Sequence, residues 1–345
     1  MIRESKSVGI WVSQASWFKT LLPIAITAAR MGCEVTINLI SSGKWNCATS
    51  EKNLKTLTSI AAQHNMRIRR SDFQASDVDF FVEGRHIEKS IARKKVSLIE
   101  NDSYVIRIDG RMSGSSPTLY ETYIDKVDHV VFPSSKFADH YGLVSEKHLF
   151  LGHPQFDSEF SIEDEEIIQC LGLIRSEKRA LIILPKLKYL DQVDLLRIID
   201  VLRETGHTIV TKTRGKDKYT DRRVLGDQYF DDMTTPVSWL PYTTPMLLQV
   251  SDVAINFGST AIVECIMKQT PVIDFDIKSF RNFPFLYESD AVSVFKDAKN
   301  FDRDALAHEI ATRTRGHMKP LFDKMIDDLG ISDQGVSRRI LQHVL

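Results

Sequence analysis

Short apolar runs alternate with stretches of helical periodicity from one end of this sequence to the other, and few architectures accommodate that alternation. Parallel strands need a crossover of about a dozen residues or more, and a helix is the usual crossover. Val8 to Val12 reads as a strand, Trp17 to Met31 as a helix with Gly32 just past its end, and Glu34 to Ile40 as a second strand. That is one complete βαβ unit. Further strand candidates are Phe80 and Phe81, Val96 to Ile99, Val105 to Ile108, His129 to Phe132 and His148 to Leu151, with helices near 51–64 and 136–142.

After Gly152 the stretch HPQFDSEFSIEDEE, polar and acidic with a proline, breaks the rhythm and reads as an interdomain connection around 155–165. A second α/β series follows. Its strands are Ala180 to Leu184, Thr208 to Thr211, Val237 to Leu240, Val253 to Asn256 and Val272 to Phe275, with helices at 191–205, 244–250 and 259–268. From about 303 onward the pattern is helical, with breaks expected near Gly316 and Gly330. The expected fold class is α/β, with two Rossmann-like doubly wound parallel-sheet domains facing a cleft. The domains are residues 1–155 and 156–330, followed by a last helix at 331–345.

Composition removes several function classes. Lys and Arg number 45 against 46 Asp and Glu, so no global charge draws the chain to nucleic acid, and any anion site is local. The most lipophilic early stretch, Leu21 to Ala29, is interrupted by Pro23 and far short of the roughly 20 apolar residues of a membrane span. The opening MIRESKSVGIWV runs into a strand pattern with no small-residue cleavage site, so no signal peptide is expected. The expected compartment is the cytoplasm, where the sequon at Asn101 would not meet the glycosylation machinery. Cys33, Cys47, Cys170 and Cys265 show no zinc spacing and read as buried thiols. No GxGxxG, GxxxxGK[ST], GxSxG or HExxH occurs, which argues against nicotinamide dehydrogenases, Walker NTPases, α/β-hydrolases and zinc proteases.

The most informative segment is Ser251 to Phe275, SDVAINFGSTAIVECIMKQTPVIDF, which reads as strand, turn, helix and strand. Gly258 permits a tight turn, and Ser259 and Thr260 stand at a helix start, where free N–H groups attract phosphate. Glu264 follows one helical turn later, placed to accept hydrogen bonds from a ribose. A capped helix carrying an exposed glutamate would show the same spacing. Lys212, Arg214, Lys216 and Lys218 cluster where the Thr208 to Thr211 strand ends, as a ligand-binding edge or a solvated loop would.

That segment resembles the nucleotide-diphosphate-binding signature of GT-B-fold glycosyltransferases. The likeness is strongest to the branch with CDP-glycerol glycerophosphotransferases and, further off, UDP-N-acetylglucosamine 2-epimerases. It covers roughly 130–275. HVVFPSSKFADHYGL followed by HLFLGHPQFD is similar to that group's strand, Ser-rich turn, helix and G-x-P-x-x-D passage between domains. TIVTKTRGKDK stands where the group has its basic strand end, and WLPYTTPMLLQVSD where base-contacting residues precede the signature. The chain departs from the polyol-phosphate pattern at Asn256-Phe257-Gly258-Ser259 and at Lys212-Thr213-Arg214-Gly215.

The resemblance implies a donor domain at 156–330 and an acceptor domain at 1–155, with the last helix crossing back to the latter. It implies diphosphate binding at Gly258, Ser259 and Thr260, ribose contact by Glu264, and anion contact by Lys212, Arg214 or His153, whose His-Pro step also resembles sialyl- and Kdo-transferases. An inverting displacement would take its catalytic base from the N-terminal domain, where Glu83, His86, Glu100, Asp102 and Asp109 lie at strand ends. Asp109 and Glu100 are the preferred candidates. The Gly110 to Ser116 loop could close over an acceptor. Asp77-Val78-Asp79 and Asp274-Phe275-Asp276 have the spacing of a GT-A metal pair, a role set aside because the first pair precedes a strand, the second leaves one, and twin Rossmann-like domains bind diphosphate through the helix dipole and cations.

The expected function is metal-independent, cofactor-free transfer of a sugar from a nucleotide-sugar donor to a glycan or lipid-linked acceptor, as in surface-polysaccharide biosynthesis. Alternatives are a polyol-phosphate transferase, a UDP-sugar 2-epimerase and a non-catalytic nucleotide-sugar-binding module. A peripheral place at the inner membrane face is open to an enzyme of polymer assembly, although no amphipathic basic helix stands out.

Overall fold

The computed structural model describes residues 6–12, 18–39, 51–69, 80–83, 104–108, 128–140, 142–213, 219–231, 243–277, 284–331 and 333–345. The chain divides into two compact units, one built on Met1–Ser161 with Leu329–Leu345, the other drawn from between Ile162 and Asp328. Glu100, Asp109 and Arg214 lie outside the described residues, as do Cys47, the Asp77 and Asp79 pair, the Gly110 to Ser116 loop and the strands expected at Val96 to Ile99 and Val237 to Leu240.

Among the described residues the first unit carries seven parallel strands: β1 (Ser7–Val12), β2 (Glu34–Leu39), β3 (Arg67–Arg69), β4 (Phe80–Glu83), β5 (Tyr104–Ile108), β6 (His129–Phe132) and β7 (His148–Phe150). Their order in the sheet is β3-β2-β1-β4-β5-β6-β7, a doubly wound arrangement that reverses between β1 and β4. Helices α1 (Phe18–Arg30), α2 (Glu51–Gln63) and α3 (Ser135–His140) belong to this unit. In α1, Phe18, Leu21, Leu22, Ile24, Ala25 and Ala28 are buried against Val8, Ile10, Val12, Val35 and Ile37. Each Leu or Ile enclosed in this way stabilises the fold by about 1.5–3 kcal/mol. Gly32, at φ +85, closes α1. Its N–H bonds Ala29 and that of Cys33 bonds Ala28, the paired hydrogen bonds that end a helix on a left-handed residue.

Among the described residues the second unit carries six parallel strands: β8 (Arg179–Ile183), β9 (Thr208–Thr213), β10 (Gln228–Asp231), β11 (Val253–Asn256), β12 (Val272–Phe275) and β13 (Val292–Phe295). Their order is β10-β9-β8-β11-β12-β13, so the winding reverses between β8 and β11. The helices are α4 (Asp164–Leu171), α5 (Gln192–Glu204), α6 (Thr243–Gln249), α7 (Ala261–Met267), α8 (Arg303–Thr312) and α9 (Arg315–Leu329). Leu195, Ile198, Ile199 and Leu202 of α5 share a core with Leu306 and Ile310 of α8 and with Ile255, Ile273 and Phe275 of the sheet.

Several local expectations change. The acidic run after Ile162 is not a linker throughout: Asp164, Glu165 and Glu166 form the first turn of α4, where negative charge is favoured by the helix dipole. The break expected near Gly316 lies at Arg313 and Thr314, and Gly316 sits inside the first turn of α9. Cys170 is exposed on α4 and Cys33 half-buried, so of the described cysteines only Cys265 is a buried thiol. Strands β3, β10 and β13 have no counterpart in the sequence reading.

Arg315 ties the second unit together at the ends of α6 and α7. Its guanidinium donates to the carbonyls of Leu248, Ser251 (2.7 Å) and Lys268 (3.2 Å) and to the Thr270 hydroxyl (3.1 Å). These carbonyls lie in or just past the last turns of two helices, where acceptors lack an intrahelical partner. Arg179 does similar work beneath β8, donating to Val250 and Ile174 at 2.7 and 2.8 Å.

The last helix, α10 (Val336–Val344), belongs to the first unit and packs on α1. It buries Val336, Ser337, Ile340 and Leu341. Asp157, the acid that ends the GHPQFD passage, accepts the Ser337 N–H at 2.7 Å and the Glu159 N–H at 3.3 Å. No helix among the described residues is long and apolar enough to cross a membrane.

Candidate functional site

In an open doubly wound sheet, ligands gather beyond the carboxyl ends of the strands where the winding reverses. In the second unit that point lies between β8 and β11. β11 ends at Asn256, and the chain then runs through Phe257, Gly258, Ser259 and Thr260 into α7.

Four hydrogen bonds shape this turn. The Asp274 carboxylate, wholly buried in β12, accepts the Gly258 N–H at 2.9 Å and the Asn256 amide at 2.5 Å through one oxygen, Oδ1. The same Asn256 amide nitrogen donates to the Ser259 carbonyl at 3.1 Å, and the Ser259 hydroxyl accepts the Ala261 N–H at 3.3 Å. Gly258 stands at φ +61, in the left-handed region that a side chain disfavours. Phe257 faces the core, its ring stacked on Phe275 at 5.7 Å between centroids.

With the Gly258 N–H engaged by Asp274, the N–H groups of Ser259 and Thr260 meet no acceptor among the described residues. Both residues are half-exposed, and Thr260 has a helical φ of −64 with no side-chain cap. The turn therefore offers two adjacent open donors, the chemistry that holds a phosphate oxygen. α7 is a short helix, so these N–H groups carry more of the attraction than its dipole.

Glu264 lies in the first turn of α7 and is 5 % exposed, so it is not a solvated surface glutamate. Burial pushes the neighbouring Cys265 thiol well above its ordinary range, with Glu264 and Asp274 adding to the effect, so Cys265 is no nucleophile. Lys212 lies inside β9, which runs two residues beyond its expected end. The side chain is buried and its ammonium donates to the Thr213 carbonyl at 2.8 Å.

His153 belongs to the first unit, just ahead of a tight helical turn at Pro154–Phe156. It is buried, and that burial, with the charge of Lys19 adding, pushes its pKa down to about 3. Nδ1 accepts the Gln155 N–H at 3.4 Å, which leaves the proton on Nε2. A neutral imidazole can donate one hydrogen bond but brings no positive charge to an anion.

No family profile matches the chain, and no curated protein does. Solved structures do match over nearly its whole length. A variant of the wall teichoic acid polymerase TagF gives a TM-score of 0.65 at 14% identity, covering 97% of this chain and 87% of that one. The glycotransferase of kitacinnamycin gives 0.59 at 10% identity, covering 99% of both chains. A putative UDP-N-acetylglucosamine 2-epimerase from Listeria monocytogenes gives 0.57 at 11% identity, covering 98% of this chain and 95% of that one. The chain has the GT-B fold. At these identities the likeness is one of architecture.

Within this GT-B chain, sequence reasoning passed over the two residues that shape the turn. Asp274 was weighed only as half of a metal pair, and Asn256 only as a departure from a pattern. Their signal was present as single polar residues ending the apolar runs Val253-Ala254-Ile255-Asn256 and Val272-Ile273-Asp274. Parallel pairing sets Asn256 directly opposite Asp274.

Proposed function

We propose that the protein is a transferase that moves a sugar from a nucleotide-activated donor to a glycan or lipid-linked acceptor. The Ser259–Thr260 turn would hold the donor diphosphate and Glu264 the ribose, with Arg214 supplying positive charge toward the leaving group. The observation that carries this reading is the pair of open N–H donors at the carboxyl end of β11, at the reversal of the second sheet. Charge grows on the leaving diphosphate in the transition state, and donors already held in place stabilise it without reorganising. Asp109 or Glu100 would act as the base that deprotonates the acceptor hydroxyl. The reaction would need no metal, and surface-polysaccharide assembly at a membrane face is the setting it would suit.

A second reading, polyol-phosphate transfer, is favoured by the TM-score of 0.65 to TagF, a wall teichoic acid polymerase. Product analysis separates the two. Sugar transfer releases a nucleoside diphosphate, polyol-phosphate transfer releases a nucleoside monophosphate, and an isomerised donor would mark a 2-epimerase. Incubation with UDP-sugars and CDP-glycerol, followed by chromatography of the nucleotide released, is the experiment. Release of no nucleotide and no change in any donor would sink the enzyme reading.

A further inference from the structure

We propose that Asp274 and Asn256 are positioning residues for the donor turn, which they hold with its N–H groups facing outward. This role rests on the donor reading given above.

In a trans peptide the C=O and the N–H point in opposite directions. The peptide joining Ser259 to Thr260 has its carbonyl drawn toward the Asn256 amide at 3.1 Å. Its N–H, that of Thr260, therefore points away from Asn256, which is wholly buried. Asn256 is fixed in turn by Asp274, whose Oδ1 also takes the Gly258 N–H at 2.9 Å. One carboxylate oxygen thus sets the start of the turn directly and its end through an amide.

The hydrogen bonds also separate duties along the turn. Gly258 supplies the left-handed bend and spends its N–H inward, while Ser259 and Thr260 keep theirs for a ligand. If the Asp274 carboxylate is removed, the Gly258 N–H and the buried Asn256 amide both lose the acceptor they share. The turn can then relieve them by rotating its peptides, which would swing the outward donors off target. The cost would fall on groups that bind through the turn, such as phosphates, and spare those that do not.

The test compares wild type with Asp274→Ala, Asp274→Asn and Asn256→Ala. Affinities for UDP and CDP are measured by calorimetry beside those for uridine and cytidine, well below each protein's melting temperature. Asp274→Ala is expected to weaken the diphosphate about 10-fold while changing nucleoside affinity less than about 2-fold. Asp274→Asn keeps an acceptor oxygen in the same place and is expected to restore diphosphate affinity to within about 3-fold of wild type. Asn256→Ala removes the Ser259 link and the amide's bond to Asp274 but leaves the Asp274–Gly258 bond in place, and is expected to show the same selective loss, so it carries the test if Asp274→Ala does not fold. A loss shared equally by diphosphate and nucleoside, or unchanged diphosphate affinity in folded Asp274→Ala and Asn256→Ala, overturns the positioning role alone. Failure of wild type to bind either diphosphate overturns the donor reading and the positioning role together.

Discussion

The Asp274 carboxylate accepts the Gly258 N–H at 2.9 Å across neighbouring parallel strands, and this bond sets the bend at the mouth of the second sheet. Gly258 holds φ +61, where a Cβ costs roughly 1–2 kcal/mol. Gly258→Ala is expected to lower unfolding free energy by about that amount, measured by urea denaturation. It should also weaken nucleoside diphosphate binding, because the relaxed turn would shift Ser259. A variant as stable as wild type would show that the left-handed bend is not required.

Arg315 predicts a comparable effect from a residue no functional reading selects. Arg315→Ala leaves the Leu248, Ser251 and Lys268 carbonyls without their shared donor in a largely buried place. The expected loss is about 2 kcal/mol, since a bare buried acceptor such as the Ser251 carbonyl costs roughly 1–3 kcal/mol, whereas the Leu248 carbonyl keeps the Thr270 hydroxyl at 2.8 Å. Arg315→Lys should recover less than half, because a single ammonium cannot reach acceptors arranged around a planar fork. Denaturation curves of the three proteins decide it, and full recovery by lysine would contradict the geometry.

Much of the architecture is legible in the sequence, because buried parallel strands read as short apolar runs and their crossovers as amphipathic helices. β1, α1 and β2 are found within a residue or two of their expected places. Two of the three strands that escape notice, β3 and β10, have weak apolar character. β3 is Arg67-Ile68-Arg69, and β10 is Gln228-Tyr229-Phe230-Asp231, each at an edge of its own sheet. Edge strands bury less, so their sequences carry less pattern. The turn at Gly258 was readable from its glycine and its place after a strand. The bracing by Asp274 was not, since it depends on which strands lie side by side and in what register. His153 and Lys212 show the same limit: residue type suggested charged ligand groups, whereas the structure buries both side chains.

His153 makes stability sensitive to acid. Its folded pKa of about 3 lies below the ordinary 6.5, so the unfolded chain takes up a proton that the folded one refuses. Stability from this residue is therefore complete above about pH 6.5 and falls as the pH drops toward 3. Between pH 6.5 and pH 5 the loss is about 2 kcal/mol, at roughly 1.4 kcal/mol per unit. His153→Gln should lose correspondingly less over that interval. Parallel stability curves for the two proteins would show that His153 does not hold its proton off.

Asp157 predicts how the last helix is held. Its carboxylate caps the start of α10 through the Ser337 N–H at 2.7 Å. Asp157→Ala should cost about 1 kcal/mol, the usual worth of a cap. Hydrogen exchange is expected to quicken in 336–344 while the strands of the second unit keep their protection. Uniform quickening across both units would mean that the residue supports the whole molecule rather than this helix.

The central claim is that outward N–H groups of the Gly258–Thr260 turn hold a nucleotide's phosphates. Thr260 has φ −64, the angle a proline ring imposes, so Thr260→Pro deletes that N–H while suiting the local backbone at this residue. Calorimetric titration of UDP and CDP into wild type and Thr260→Pro is the direct measurement, with melting temperatures confirming that both are folded. The account predicts that wild type binds at least one of the two and that the proline variant binds it about 10-fold more weakly or worse. Equal affinity in the two proteins, or no binding of either nucleotide to wild type, would contradict it.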